Sequence, residues 1–126
     1  MPKGYLEHVN LTVSDPDRSA ALLAELCGWH ERWSGPTQSG GRTIHVGGDR
    51  DYIAFYKGPD GAPAAPYAKG KPLNHVAVVV DDLDGAERVV TWVGLKPFGH
   101  DHYDPGRRFY FFDWDGIEFE VVSYRD

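Results

Sequence analysis

Two histidines, His8 and His75, stand in matching sequence surroundings. The run Leu6-Glu7-His8-Val9-Asn10-Leu11-Thr12-Val13-Ser14-Asp15 can be written above Leu73-Asn74-His75-Val76-Ala77-Val78-Val79-Val80-Asp81-Asp82, and Leu, His, Val, Val and Asp then fall in the same places. An imidazole serves as acid, base or metal ligand near neutral pH. A single histidine near a strand start is ordinarily a hydrogen-bonded structural residue, but recurrence at equivalent positions of a repeat points to a shared task. Two such residues can converge when the repeats pack about a pseudo-twofold axis. The C-terminal run Ile117-Glu118-Phe119-Glu120-Val121 offers two carboxylates. One of them would complete a set of two histidines and a carboxylate. That set suits Fe(II), Mn(II), Zn(II) or Ni(II), with positions left open for substrate.

The elements that must carry these residues follow from periodicity. Val9, Leu11 and Val13 share one face of a strand and His8, Asn10 and Thr12 the other; Val76, Val78 and Val80 oppose His75, Ala77 and Val79 in the same way. The apolar faces, Val9, Leu11, Val76 and Val78 among them, should pack under helices and leave both histidines on the opposite side. Each copy then runs into a helical pattern. Asp15 can cap the first, Pro16 suits its opening turn, Ala20, Leu22, Leu23 and Leu26 form its apolar side, and Gly28 stops it. Asp82 or Asp84 can cap the second, with Ala86, Val89, Val90 and Val93 following before Gly94. Aromatic and β-branched stretches broken by glycines come next, Trp29 to Lys57 and Leu95 to Tyr124, each reading as about three strands. The segment 58–72, rich in Pro, Gly and Ala, reads as a linker. The organisation expected is α+β: one domain over 1–126, with βαβββ modules at 4–57 and 73–126 whose sheet faces can cover one another.

Composition removes whole classes of function. The 126 residues suffice for about one domain, and no apolar run approaches the roughly 18 residues of a spanning helix. The first residues show no signal-peptide pattern, so a cytoplasmic location is expected. A net charge of −6 argues against nucleic acid as partner. Cys27 is the one cysteine, which excludes an intrachain disulfide and a cysteine metal cluster, and it reads as a buried thiol. Four Trp, seven Tyr and six Phe supply material for a core and for a pocket lining.

The paired His-bearing repeats, together with Phe111-Phe112-Asp113-Trp114-Asp115-Gly116-Ile117-Glu118-Phe119-Glu120, resemble the vicinal oxygen chelate superfamily. Its members include glyoxalase I, fosfomycin resistance enzymes, methylmalonyl-CoA epimerase, extradiol dioxygenases and bleomycin resistance proteins. The last run looks like the family's final-strand pattern, with Trp114 in place of the usual Pro. The resemblance covers essentially the whole chain and implies two βαβββ repeats forming a concave sheet cup. It implies His8, His75 and Glu120, not Glu118, as ligands of one divalent metal ion. Glyoxalase I enzymes add a Glu from the first module's last strand. Matching that strand to the last by alternation puts Tyr52 at this corner, and a phenol with a pKa of about 10 is a poor ligand and weak base.

The resemblance also implies a substrate that chelates the ion through two neighbouring oxygens. The expected chemistry is then that of a lyase, an isomerase or a ring-cleaving dioxygenase. The alternative is a metal-free ligand-sequestering protein like the bleomycin resistance proteins. Extradiol enzymes carry a Tyr ten residues before the last ligand, where Tyr110 stands, so Tyr52 and Tyr110 are the candidate catalytic residues. His100 and His102 read as loop histidines near the cup. Arg107 and Arg108 read as surface charges or receivers of a substrate anion. His30 and His45 read as structural or surface residues. A homodimer is expected, with sites built within one chain or shared between two.

Overall fold

The computed structural model describes residues 1–38, 40–61, 66–103 and 106–124. The chain divides into two compact units, one formed by Met1–Ala24 with Gly28–Pro63 and the other by Glu25–Cys27 with Ala64–Asp126. Each unit carries one four-stranded sheet and the same succession of elements, strand, helix and three strands. The fold is therefore α+β with two βαβββ modules.

In the first module β1 (His8–Thr12) leads into α1 (Pro16–Cys27), followed by β2 (His30–Pro36), β3 (Arg42–Gly47) and β4 (Tyr52–Lys57). The helix begins where its sequence says it should. Asp15 sits in the extended region and its side chain accepts from the Arg18 backbone N–H at 3.2 Å, satisfying one of the amides that lack an intrahelical partner. Gly28 closes it with φ of +67°, a conformation that costs other residues a clash with their own Cβ. The sheet order is β1-β4-β3-β2, so the first strand returns beside the last in a parallel pair while the others are antiparallel. Leu11, Val13, Ile44, Val46, Ile53 and Phe55 are buried on one face. Arg42, on that same side of β3, reaches Asp17 of α1 at 2.9 Å and ties the helix to it.

The second module repeats the plan with β5 (Val76–Val79), α2 (Leu83–Trp92), β6 (Phe98–Tyr103), β7 (Gly106–Phe112) and β8 (Glu118–Ser123), in the order β5-β8-β7-β6. Asp82 caps α2 through the Gly85 N–H at 2.9 Å. Leu83, Ala86 and Val90 face inward, and the helix packs on β7 and β8. Beneath it lie Phe109, Phe111, Phe119 and Val121, all 0–1% exposed, with Phe111 and Phe119 stacked at 5.3 Å. Removing one such ring costs about 3–5 kcal/mol, since a close-packed core cannot refill the cavity.

Three expectations need correction. Val9 and Val76 are half-buried, unlike Leu11 and Val78, because they stand at the outer ends of their strands. Cys27 is also half-buried where full burial was expected, although burial still pushes its thiol up to about 12 and keeps it protonated. His100 and His102 belong to strand β6 and not to a loop, with the His102 side chain outside the described residues.

The turn into β8 is built by Asp113. Its Oδ1 accepts from the backbone N–H groups of Asp115, at 2.9 Å, and Ile117, at 2.8 Å, and its own N–H donates to the Ile117 carbonyl at 2.9 Å. Gly116 follows with φ of +82°, and a Cβ there would meet Pro66 at 2.9 Å. Asp113, through its side-chain oxygen, and Gly116, through its left-handed backbone, thus shape this turn. Asp113→Ala leaves two backbone donors without their acceptor and should cost about 1–3 kcal/mol. Asp113→Asn keeps the oxygen and should cost less. Urea denaturation monitored by Trp fluorescence checks both, and equal midpoints for Asp113→Ala and wild type would refute the role.

Candidate functional site

His75 immediately precedes β5, and Glu118 and Glu120 share one face of β8. The parallel register pairs Val76 with Phe119 and Ala77 with Glu120, so the imidazole and both carboxylates stand on the sheet face opposite the phenylalanine core. His75 Nε2 lies 3.0 Å from Glu120 Oε1, whereas its Nδ1 is 3.9 Å from Glu118 Oε2. Glu118 is held by Lys69, whose Nζ meets its Oε1 at 2.8 Å. Tyr67 helps to anchor the approach of this lysine: its N–H donates to the Asp115 carbonyl at 2.6 Å and its hydroxyl donates to that of Leu73 at 2.9 Å. Glu120 is itself 8% exposed and receives a second contact, Arg108 Nη1 to its Oε2 at 2.8 Å.

The two imidazoles are oriented alike. His75 Nδ1 meets Asn74 Oδ1 at 2.7 Å, and His8 Nδ1 meets Glu7 Oε1 at 2.8 Å. In each module the residue just before the histidine thus engages Nδ1, and Nε2 is the nitrogen left for a ligand. Sequence reasoning passed over Glu7 and Asn74 because they differ in type; what they share is a side-chain oxygen at the same place. Beyond these contacts the two histidines have different neighbours. His8 stacks on Tyr52 at 4.6 Å, and His45 stacks on the same ring at 4.6 Å. Trp33 meets His45 edge-on, and the Arg32 guanidinium lies 4.5 Å from the centre of the Tyr52 ring.

Register also corrects the correspondence between modules. His8 pairs with Tyr52, while the β5–β8 register extended by one residue sets His75 level with Glu118. Tyr52 therefore corresponds to Glu118, and the partner of Glu120 is Ala54. The expected match of Tyr52 to Glu120 is off by two residues, a slip that alternation cannot detect because it keeps every side chain on the same face. The first module still supplies no carboxylate at that corner. The same alignment pairs His45 with Tyr110, since they stand across from Ala54 and Glu120 respectively. His45, read as structural or surface, packs in the aromatic cluster with Tyr52 and Trp33.

Tyr110 meets His75 edge-on at 6.1 Å and stacks with Phe98 at 6.0 Å. Gly99 makes room for it, since a Cβ there would stand 2.8 Å from the Tyr110 ring. His100 is directed elsewhere, to Glu87 of α2 at 2.9 Å. Arg107 is paired with Asp84 at 3.5 Å, and His30 is exposed.

Two neutral nitrogen donors and a carboxylate oxygen form a suitable set for a divalent ion. The 3.0 Å between His75 Nε2 and Glu120 Oε1 is about what two ligands at a right angle show when each bond is roughly 2.1 Å. Among the described residues no group of three or more His, Cys, Asp or Glu side chains is gathered around one point. The second unit thus brings together two of the three expected ligands, and His8 lies in the first unit with its own neighbours.

The βαβββ duplication places the chain in a recognisable fold class, and sequence agrees. Residues 7–111 match the Glyoxalase/Bleomycin resistance protein/Dioxygenase superfamily, and the chain belongs to it. A glyoxylase/bleomycin resistance protein/dioxygenase domain from Frankia sp. EAN1pec superposes with a TM-score of 0.81 at 23% identity, over 97% of this chain and 93% of its own. The fosfomycin resistance protein FosX from Listeria monocytogenes, complexed with Mn(II) and sulfate, gives 0.72 at 21% identity over 98% and 93%. FosX from Mesorhizobium loti gives 0.71 at 26% identity over 96% and 91%. No functionally curated protein matches the chain.

The His45 cluster yields a pH prediction. Burial chiefly, with the neighbouring His8 and Arg32, holds the His45 pKa below its ordinary value of about 6.5. A depressed pKa means that the unfolded chain takes up the proton first as pH falls. Stability contributed by neutral His45 is therefore complete above about pH 6.5 and is lost as pH drops toward the lower folded value. His45→Gln should flatten that part of the pH–stability curve, measured by thermal melts between pH 7.5 and 5. A variant curve parallel to wild type would rule this out.

Proposed function

We propose that the chain is a divalent-metal-dependent enzyme acting on a small molecule that grips the ion through two neighbouring oxygens. His8, His75 and Glu120 are the ligands in this reading. The observation that carries it is the 3.0 Å approach of His75 Nε2 to Glu120 Oε1, reinforced by the matched Nδ1 contacts of both histidines. The ion, one of Fe(II), Mn(II), Zn(II) or Ni(II), would stabilise negative charge developing on the substrate oxygens. Asn74 and Glu7 hold the imidazoles in one tautomer. Tyr110, beside His75, and Tyr52, against His8, are placed in this reading to donate hydrogen bonds to the substrate and to wall the site. The reaction is of the lyase or isomerase type or a ring-cleaving oxygenation. A FosX variant from Listeria monocytogenes holds Mn(II) together with 1S,2S-dihydroxypropylphosphonic acid, a molecule with adjacent oxygens, which supports a chelating substrate and does not choose between these reactions.

A second reading has one observation in its favour. Lys69 already balances Glu118 and Arg108 already balances Glu120, so the face is charge-compensated without an ion. That would suit a ligand-sequestering binder. Metal analysis of protein purified without a nickel column separates the two, with one equivalent per chain expected for the enzyme. Glu120→Ala should abolish that binding while Glu118→Ala retains it. Equal metal content in wild type and Glu120→Ala would end the assignment. Aerobic assays with Fe(II) and catechols then test the oxygenase branch.

Assembly is part of the same reading: a homodimer, with each site built by one chain or by His8 of one subunit with His75 and Glu120 of the other. Among the described residues no helix is long and apolar enough to cross a membrane. Co-refolding His8→Ala with Glu120→Ala tests the shared arrangement, which should restore metal binding in part of the mixture. No recovery assigns each site to a single chain, and a monomer at micromolar concentration contradicts the dimer.

A further inference from the structure

We infer that Arg108 is a positioning residue that presents Glu120 to the metal through one oxygen. The inference rests on the metal reading above and concerns how the carboxylate is held. A carboxylate on a strand can bind an ion through both oxygens or through one, and rotation about its last torsion is nearly unhindered. Here the two oxygens are already distinguished. Oε2 lies 2.8 Å from Arg108 Nη1, and Oε1 faces His75 Nε2 at 3.0 Å. With Oε2 occupied by a guanidinium, Oε1 is the oxygen left for an ion that also binds Nε2.

Burial strengthens the constraint. The Arg108 and Glu120 side chains are 13% and 10% exposed, so little water competes for either. A charge-assisted contact in such surroundings is short and directional, and ligating carboxylates are commonly fixed by a partner of this kind. The pair also follows the site within the chain's own duplication. Arg108 corresponds to Thr43, because they pair with Val122 and Tyr56 in equivalent registers, and Glu120 corresponds to Ala54. The module that has the acid has the arginine, and the module that lacks one lacks both. Glu118 shows that charge balance alone does not require this arrangement, since a lysine from outside the sheet serves it.

Calorimetric titration with Mn(II) and with Zn(II) tests the inference on wild type, Arg108→Met and Arg108→Lys, each also combined with Glu120→Gln. Arg108→Met should weaken metal binding about 10- to 100-fold, the usual consequence of removing a partner that orients a ligand. Arg108→Lys retains the charge without the planar fork and should recover part of the loss. Against Glu120→Gln the effect of Arg108→Met should vanish, because the arginine acts only through that carboxylate. The lysine variant keeps Glu120 paired and so guards against loss of the fold. Unchanged affinity in Arg108→Met overturns the inference and leaves the metal reading intact. Tighter binding overturns it too, and makes the arginine a competitor for the carboxylate. Wild type without stoichiometric metal overturns both.

Discussion

Strand alternation in two parallel pairs, β1 with β4 and β5 with β8, is the constraint on which everything else depends. Each pair presents one row of side chains to a buried face and the next row to the opposite side. In the second module one row is the phenylalanine layer with Phe119 and Val121, and the opposite row, also buried, holds Glu118 and Glu120. The free energy of burying large rings therefore fixes where the carboxylates point. A polar group could not dictate its own position so firmly, because its net contribution to folding is small beside that of a buried phenylalanine.

The duplicated scaffold has been filled differently in its two copies. The second is polar and paired: histidine, two glutamates, arginine and lysine in mutual contact. The first is aromatic, with Tyr52 between two imidazole contacts and Arg32 and Trp33 close by. One half can fix a cation or its counterpart by charge, while the other offers flat surfaces and nitrogen atoms.

Much of this was legible from the residues. Helix starts and stops followed from Asp15, Pro16, Gly28 and Asp82, whose local chemistry admits few alternatives. The strands carrying His8 and Glu120, and the one that His75 precedes, followed from alternation, and the repeat set the topology. Position along a strand was harder. Tyr52 was matched to the wrong residue because a shift of two leaves every face unchanged, and only the hydrogen-bonded register reveals it. The correspondence of His45 with Tyr110 could not be read because Arg42–Gly47 and Gly106–Phe112 share almost no identities, so it is geometric. The partners of the two glutamates lie 12 and 49 residues away, and nothing local in the sequence announces such pairs.

The Asp113 turn also limits how the chain can change over time. It sets the phase in which β8 enters the sheet, with Ile117 held by two contacts to one aspartate. One residue gained or lost there would rotate the whole strand by half its period, sending Phe119 outward and Glu120 toward the phenylalanine layer. Length at this turn is thus guarded, and indels in descendants of this chain should avoid residues 113–117 and collect in the segment joining the modules.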